Sequence, residues 1–248
     1  MISRFYCPKT DVTLVARRPL TLPDVVAHHA LKVLRLRVDD ELVLFDGSGG
    51  EYPGYVLEAN RKLTVMLDEW REVECEAPLR ITLAQALPSG DKMDLIVQKA
   101  VELGVAAIQP LEAKRSVVRL SGERAEKRIA HWRQVVVSAC EQSGRNRLPE
   151  VHGLLDLAHY LALPPLADEG MPLRLLLSPH QGVRLAELPK PTGAVTLLVG
   201  PEGGFDKVEE DMARSVGFQL VRLGPRVLRT ETAGLATLAA VMTLWGDF

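Results

Sequence analysis

The chain has 248 residues, of which 47% are hydrophobic and 25% charged, and its formal net charge is −2; it has the length and composition of a globular protein of one large or two ordinary domains, and the near-neutral charge excludes a generally sticky nucleic-acid binder. No apolar run is long enough to span a bilayer, and the opening MISRFYCPKT lacks a signal-peptide pattern, so a cytoplasmic protein with no membrane partner is expected. Three scattered cysteines (Cys7, Cys75, Cys140) and the lack of any C-x-x-C or His-rich cluster argue for reduced thiols and against a disulfide framework or a metal site.

Up to about Trp70 the sequence is β-like. One helix interrupts it: Pro23 suits a first helical position, and Val25, Val26, Ala30, Val33 and Leu34 recur on one face. His28, His29, Lys32, Arg35 and Arg37 give this helix and its exit a basic edge, with Arg4 at the start of the chain. Charge count alone does not separate a binding surface from a solvated helix face, because this segment holds at least as many acids. DELVLFDGSGGEYPGYVLEA (Asp40–Ala59) places two apolar runs around a Gly-rich turn, a hairpin signal, and KLTVMLDEW (Lys62–Trp70) reads as a third strand. Glu72–Pro78 reads as a linker, polar and without periodicity. It sets a domain over residues 1–72 and another over residues 78–248.

From Leu79 the pattern alternates. ITLAQAL is a strand, DKMDLIVQKAVELG a helix closed by Gly104, and VAAIQPL a strand. Leu173–Leu177, Val195–Val199 and Gln219–Leu223 supply further strands, which predicts an α/β fold with a parallel sheet covered by helices. Glu123–Gly144 is a long amphipathic helix with Ala125, Ile129, Trp132, Val136 and Cys140 on its core face. Gly144 is a C′ residue. Arg145 and Arg147 follow it, where they would at least offset the helix dipole. Val151–Pro172 carries no chemical signal.

Two stretches near the C-terminus are the most informative. LLVGPEGGF (Leu197–Phe205) and LGPRVLRTETAGLA (Leu223–Ala236) each pass from an apolar strand through Gly and Pro into a helix start, at Asp206–Glu210 and at Thr230–Thr232. Two such units make a crevice at the carboxyl ends of parallel strands, where open α/β sheets bind ligands. The first loop is neither a Walker loop nor a G-x-G-x-x-G fingerprint. The last helix, Ala233–Trp245, is apolar almost all round (Leu235, Leu238, Ala239, Val241, Met242, Leu244, Trp245), so it must be buried on more than one side.

Taken together, GPEGG and GPRVLRTETA resemble the SPOUT class of S-adenosylmethionine-dependent RNA methyltransferases. GDKMDLIVQKAVELGV (Gly90–Val105) and ACEQSGRNRLPEV (Ala139–Val151) are similar to the small-subunit (16S) rRNA uridine N3-methyltransferase family. The opening RFY, HHALKVLRLRVDDEL and LFDGSGGEY resemble the PUA-like β-barrel that precedes the catalytic domain in that family. The resemblance covers nearly the whole chain. It implies a C-terminal trefoil-knotted SPOUT domain, an N-terminal PUA-like barrel taken to bind RNA, and a homodimer paired through the knotted domain. It also implies methylation of N3 of one uridine in 16S rRNA; the near-neutral charge gives little non-specific pull on phosphates, so the assembled small subunit is the expected form of the substrate. Other readings are a SPOUT enzyme acting on transfer RNA or a ribose 2′-OH, and a ribosome-assembly factor that has lost catalysis. The CEQSGRNR run and the N-terminal barrel speak against the first, and the intact loops against the second.

Residue by residue, the resemblance implies that S-adenosyl-L-methionine is held by Leu177, Leu198, Gly200, Pro201, Glu202, Gly203, Gly204, Leu223, Gly224, Val227, Leu228, Thr230, Thr232 and Ala233. RNA is then met by Arg4, His29, Arg35, Arg37, Lys92, Gln142, Arg145 and Arg147. Uracil N3 is a nucleophile only after it loses its proton, and the negative charge then spreads onto O2 and O4. Arginine donors suit that charge. Arg226 and Arg229 are therefore expected to be catalytic, with Arg145 or Arg147 as further donors and Glu202 or Glu231 as the proton acceptor.

Overall fold

The structure, a computed structural model, describes residues 2–164 and 170–248. They form two compact units, Met1–Glu76 with Val137–Leu148 and Ala77–Val136 with Pro149–Phe248. In the first, β1 (Ser3–Tyr6), β2 (Pro19–Thr21) and α1 (Asp24–His28) precede β3 (Glu41–Phe45), β4 (Tyr52–Ala59) and β5 (Leu63–Leu67). The strands make one sheet in the order β1-β3-β4-β5-β2. β3 and β4 pair antiparallel as the hairpin expected over Asp40–Ala59, and β5 continues the meander. β1 joins parallel to β3. Alternate residues of β5 (Leu63, Val65, Leu67) point one way. They meet Phe5, Leu22, Leu42, Leu44 and Val56 in the core of this unit.

The helix after Pro23 departs from expectation. At His29–Val33 it widens into a π-turn, with the Leu34 N–H donating to the His29 carbonyl at 3.1 Å. A wider turn breaks the 3.6-residue spacing on which the predicted face rests. Ala27 and Ala30 are buried, whereas Val25 and Val33 are 83% and 62% exposed.

The second unit begins with β6 (Ile81–Ala86), α2 (Lys92–Glu102), β7 (Ala107–Glu112) and α3 (Gly122–Ser143), whose last turns from Val137 belong to the first unit. It continues with β8 (Glu150–Val151), β9 (Leu155–Asp156), α4 (Leu157–Ala162), β10 (Leu173–Leu177) and β11 (Val183–Arg184). β12 (Val195–Val199), α5 (Lys207–Ser215), β13 (Gln219–Arg222) and α6 (Thr230–Trp245) complete it. Part of the signal-free stretch Val151–Pro172, residues 165–169, lies outside the described residues. The sheet runs β11-β13-β10-β12-β6-β7-β8 with β9 also on β7, and every pairing in it is parallel.

Central strands β6 and β12 are buried along their whole length, which is why they read as unbroken apolar runs. On one face Ala84, Leu176 and Leu198 pack against Leu157 and Leu161 of α4 and Ala213 of α5. On the other, α6 brings Gly234 against Leu83, Gln85 and Val199. α2 packs beside α6 and buries Met93, Ile96, Val97, Ala100 and Val101 at helical spacing. α6 buries Gly234, Thr237, Leu238, Val241, Met242 and Trp245. Outside that stripe Leu235 and Ala239 are half-buried and Leu244 is 44% exposed.

Candidate functional site

Since the second sheet is parallel throughout, β10, β12 and β13 release the chain at the same edge. β10 lies between the other two. The two Gly-rich loops therefore flank a third, Ser178–Gln181, and with the first turn of α6 they enclose a cleft of about 550 Å³, within the usual range for small-molecule sites. Of the expected cofactor contacts, Leu177, Gly200, Pro201, Glu202, Gly203, Gly204, Leu223, Gly224, Val227, Leu228, Thr230 and Ala233 line it, together with Lys92, Arg226 and Arg229. Leu198 and Thr232 are not on its wall. Leu198 is wholly buried in the core under α4 and α5, because alternate residues of a strand face opposite sides. Thr232, two residues along the helix from Thr230, is turned to solvent.

Sequence reasoning missed Ser178–Gln181, Arg115 and Phe205, which also line the cleft. A signal for the first group existed: Leu173–Leu177 breaks into Ser-Pro-His-Gln-Gly just as the other two strands break into Gly and Pro. Arg115 carries no local signal, since only the pairing of β7 with β6 brings its loop here.

The Gly200–Gly204 turn is held from several sides. The Gly204 N–H donates to the Pro201 carbonyl at 2.9 Å, and Arg115 Nη1 donates to the Gly203 carbonyl at 2.9 Å. Asp206 and Glu209 form a reciprocal cap on α5, and Lys114 Nζ reaches Asp206 at 2.7 Å. The Thr230 hydroxyl donates to the Gly200 carbonyl at 2.6 Å. Gly204 and Gly224 have φ of +64° and +133°, a region L side chains rarely adopt. A Cβ built on either meets no atom within 4 Å, so at both positions bare backbone borders open space.

Glu202, an expected proton acceptor, is already engaged. Its Oε1 accepts from the Ser89 N–H (3.0 Å), the Ser89 hydroxyl (2.7 Å) and Lys92 Nζ (2.8 Å). Burial pushes its carboxyl up, but the bonds from Lys92 and Ser89 outweigh this and hold it down at about 2. A carboxylate that acidic is a weak base. Lys92 Nζ also lies 3.6 Å from Glu231 Oε2, a buried oxygen with no hydrogen-bond partner among the described residues. One ammonium thus serves an acid of the first Gly-rich loop and an acid of the first turn of α6. Arg226 and Arg229 differ: they line the cleft, and no described residue bonds or pairs with their guanidinium groups.

The residues expected to meet RNA divide in the same way. Arg4 is bonded to Glu51 (2.6 Å) and Asn146 (2.5 Å). Arg145 is 3% exposed and paired with Glu76. Both guanidinium groups hold the Arg145–Arg147 loop within the first unit. Arg147 is half-exposed, 3.2 Å from Glu74, while His29, Arg35, Arg37 and Gln142 are exposed. Among the described residues no group of three or more His, Cys, Asp or Glu converges as a metal site, and no helix is long and apolar enough to cross a membrane.

The RNA methyltransferase domain family matches residues 75–242, and the RNA methyltransferase PUA domain family matches residues 22–64. A ribosomal RNA small subunit methyltransferase E of Mycobacterium bovis is 34% identical over 90% of this chain and 89% of its own length. The protein of that name from Bacillus subtilis is 30% identical over 97% and 96%. A crystal structure of a ribosomal RNA small subunit methyltransferase E from Neisseria gonorrhoeae, bound to S-adenosyl methionine, matches with a TM-score of 0.90 at 41% identity and covers 100% of both chains. A methyltransferase from Legionella pneumophila in complex with the same cofactor matches at 0.92 and 33% identity, again over 100% of both. With a cleft built at the carboxyl edge of a parallel sheet and matches that span both units, the chain belongs to the RNA methyltransferase family, among the ribosomal RNA small subunit methyltransferase E proteins.

Proposed function

We propose that the chain transfers a methyl group from S-adenosyl-L-methionine to N3 of one uridine in small-subunit (16S) rRNA. The observation that carries this is the cleft itself, where bare glycine backbone stands beside two arginines, Arg226 and Arg229, with no partner among the described residues. The Neisseria relative is bound to S-adenosyl methionine, and the residues here fit that group. A cleft of about 550 Å³ has room for it, and the open space at Gly204 and Gly224 lets main-chain groups approach without a side chain intervening. We assign its binding to the Gly200–Gly204 and Leu223–Leu228 loops with Leu177, Thr230 and Ala233.

When bound, the cofactor supplies a methyl group already activated on a sulfonium. The chain's part is to hold the acceptor base in line and to stabilise the charge that forms on it. Arg226 and Arg229 are assigned to the uracil oxygens: donors to O2 and O4 favour the anion, the form in which N3 is nucleophilic. Glu202 is assigned to loop anchoring through Lys92 and Ser89, not to proton removal. Exposed Arg35, Arg37 and His29 are assigned to RNA on the N-terminal domain, with Gln142, Arg147 and Lys92 as further contacts. Arg4 and Arg145 support the loop that presents Arg147. The domain division at residues 1–72 and 78–248 and the C-terminal trefoil knot are part of this reading. So is a homodimer, supported by the apolar residues that α6 leaves outside its buried stripe, Leu235, Ala239 and Leu244.

Transfer of labelled methyl groups from S-adenosyl-L-methionine to small ribosomal subunits, followed by nucleoside analysis, tests the reading. It expects N3-methyluridine. Label on a ribose, or none on the small subunit, would refute it.

A further inference from the structure

The cofactor loop is fixed from beneath by a side chain that never reaches the cleft. Gln85, near the carboxyl end of β6, is 0% exposed and is absent from the cleft wall. Its Nε2 donates to the Ala86 carbonyl at 2.9 Å and to Thr230 Oγ1 at 3.0 Å. The Thr230 hydroxyl, itself on the cleft wall, donates in turn to the Gly200 carbonyl at 2.6 Å. The direction of this relay is forced. An amide nitrogen has two hydrogens and both are used, so Thr230 Oγ1 can only accept from Gln85. A hydroxyl has one hydrogen, and it is thereby left for Gly200. Gln85 Oε1 has no hydrogen-bond partner among the described residues. The neighbouring face of α6 is Gly234, where a Cβ would stand 3.4 Å from that oxygen.

We propose that Gln85 is a positioning residue for cofactor binding: by donating to Thr230 it commits the Thr230 hydroxyl to Gly200, and so locks the cofactor loop and the first turn of α6 to the central strand. The inference rests on the cleft being the cofactor site. An acceptor in place of the Gln85 amide nitrogen would reverse the relay. The Thr230 hydroxyl would turn to it, and the Gly200 carbonyl would lose its donor in a buried setting. A branched apolar residue would remove the relay without reversing it.

The experiment measures S-adenosyl-L-methionine affinity by calorimetry, and the melting temperature, on the full chain and its variants. Gln85→Leu and Gln85→Glu should each weaken cofactor binding by about tenfold or more, the scale of one lost buried hydrogen bond. Thr230→Val should match them. The double variant Gln85→Leu/Thr230→Val should bind no worse than Thr230→Val alone, since both act through one relay. A purely structural Gln85 would lower the melting temperature while the folded fraction binds as the parent does, and that result overturns the proposal. Additive losses in the double variant overturn it too. Should Gln85→Glu fail to fold, Gln85→Leu, Thr230→Val and their double variant decide the matter alone. If the parent chain itself binds no cofactor, the reading of the cleft has failed; if the parent binds and Gln85→Leu binds equally, only the relay has.

Discussion

Arg226 and Glu202 share a cleft, yet their surroundings commit them to different work. Arg226 follows Gly224–Pro225 and no described residue pairs with its guanidinium; in the proposed function it donates to a base on which charge develops. Arg226→Ala should lower single-turnover methylation about 100- to 1,000-fold, the usual result of losing such a donor, with little change in cofactor affinity. Arg226→Lys should recover only part of this, because a point charge lacks the planar fork. Loss of RNA binding at an unchanged saturated rate would make Arg226 a phosphate contact instead. Glu202 gives a pH prediction. Its carboxyl is held at about 2, below the ordinary 4.5. A depressed value stabilises the folded state above pH 4.5, and that contribution is lost as pH falls toward 2. Urea midpoints measured from pH 5 to pH 3 should therefore fall less steeply for Glu202→Gln than for the parent. Equal slopes would show that the bonds from Lys92 and Ser89 do not matter to stability.

Elements of the catalytic half were legible because each carries its own signal. Central strands β6 and β12 are buried on both faces and read as apolar runs, and α2 and α3 end at Gly104 and Gly144 as predicted. What stayed hidden depends on neighbours in space. No local pattern places β10 between β12 and β13, so nothing in the sequence puts the Ser178–Gln181 loop at the cleft. Gln85 reads as one more strand residue, and Arg4 and Arg145 read as free cations, because Glu51 and Glu76, which pair with them, are distant in sequence. The π-turn after α1 defeated a periodicity argument outright. At this scale the account predicts that bulk in the second loop is fatal to binding. Gly224 sits at φ +133°, so Gly224→Val combines backbone strain with a side chain in open cleft space. Its cofactor affinity should fall at least tenfold by calorimetry, on the scale of roughly 1.4 kcal/mol per decade. Unchanged affinity would move the site elsewhere.

For the molecule as a whole, the near-neutral charge and the apolar residues that α6 leaves outside its buried stripe each carry a prediction. A net charge of −2 gives little non-specific attraction to phosphates, so recognition should need a shaped target and more than one surface. Assembled small subunits should be methylated faster than protein-free 16S transcript; equal rates would count against this. Sedimentation at micromolar concentration should show a dimer, and Leu244→Lys, on the exposed part of α6, should shift it toward the 27.3 kDa chain. The most direct test of the central claim is to map modified nucleosides in 16S rRNA from cells with and without this protein. The account predicts that one N3-methyluridine disappears when the protein is absent and returns with the parent chain but not with Arg226→Ala. An unchanged N3-methyluridine content, or the loss of a ribose methyl group in its place, would contradict it.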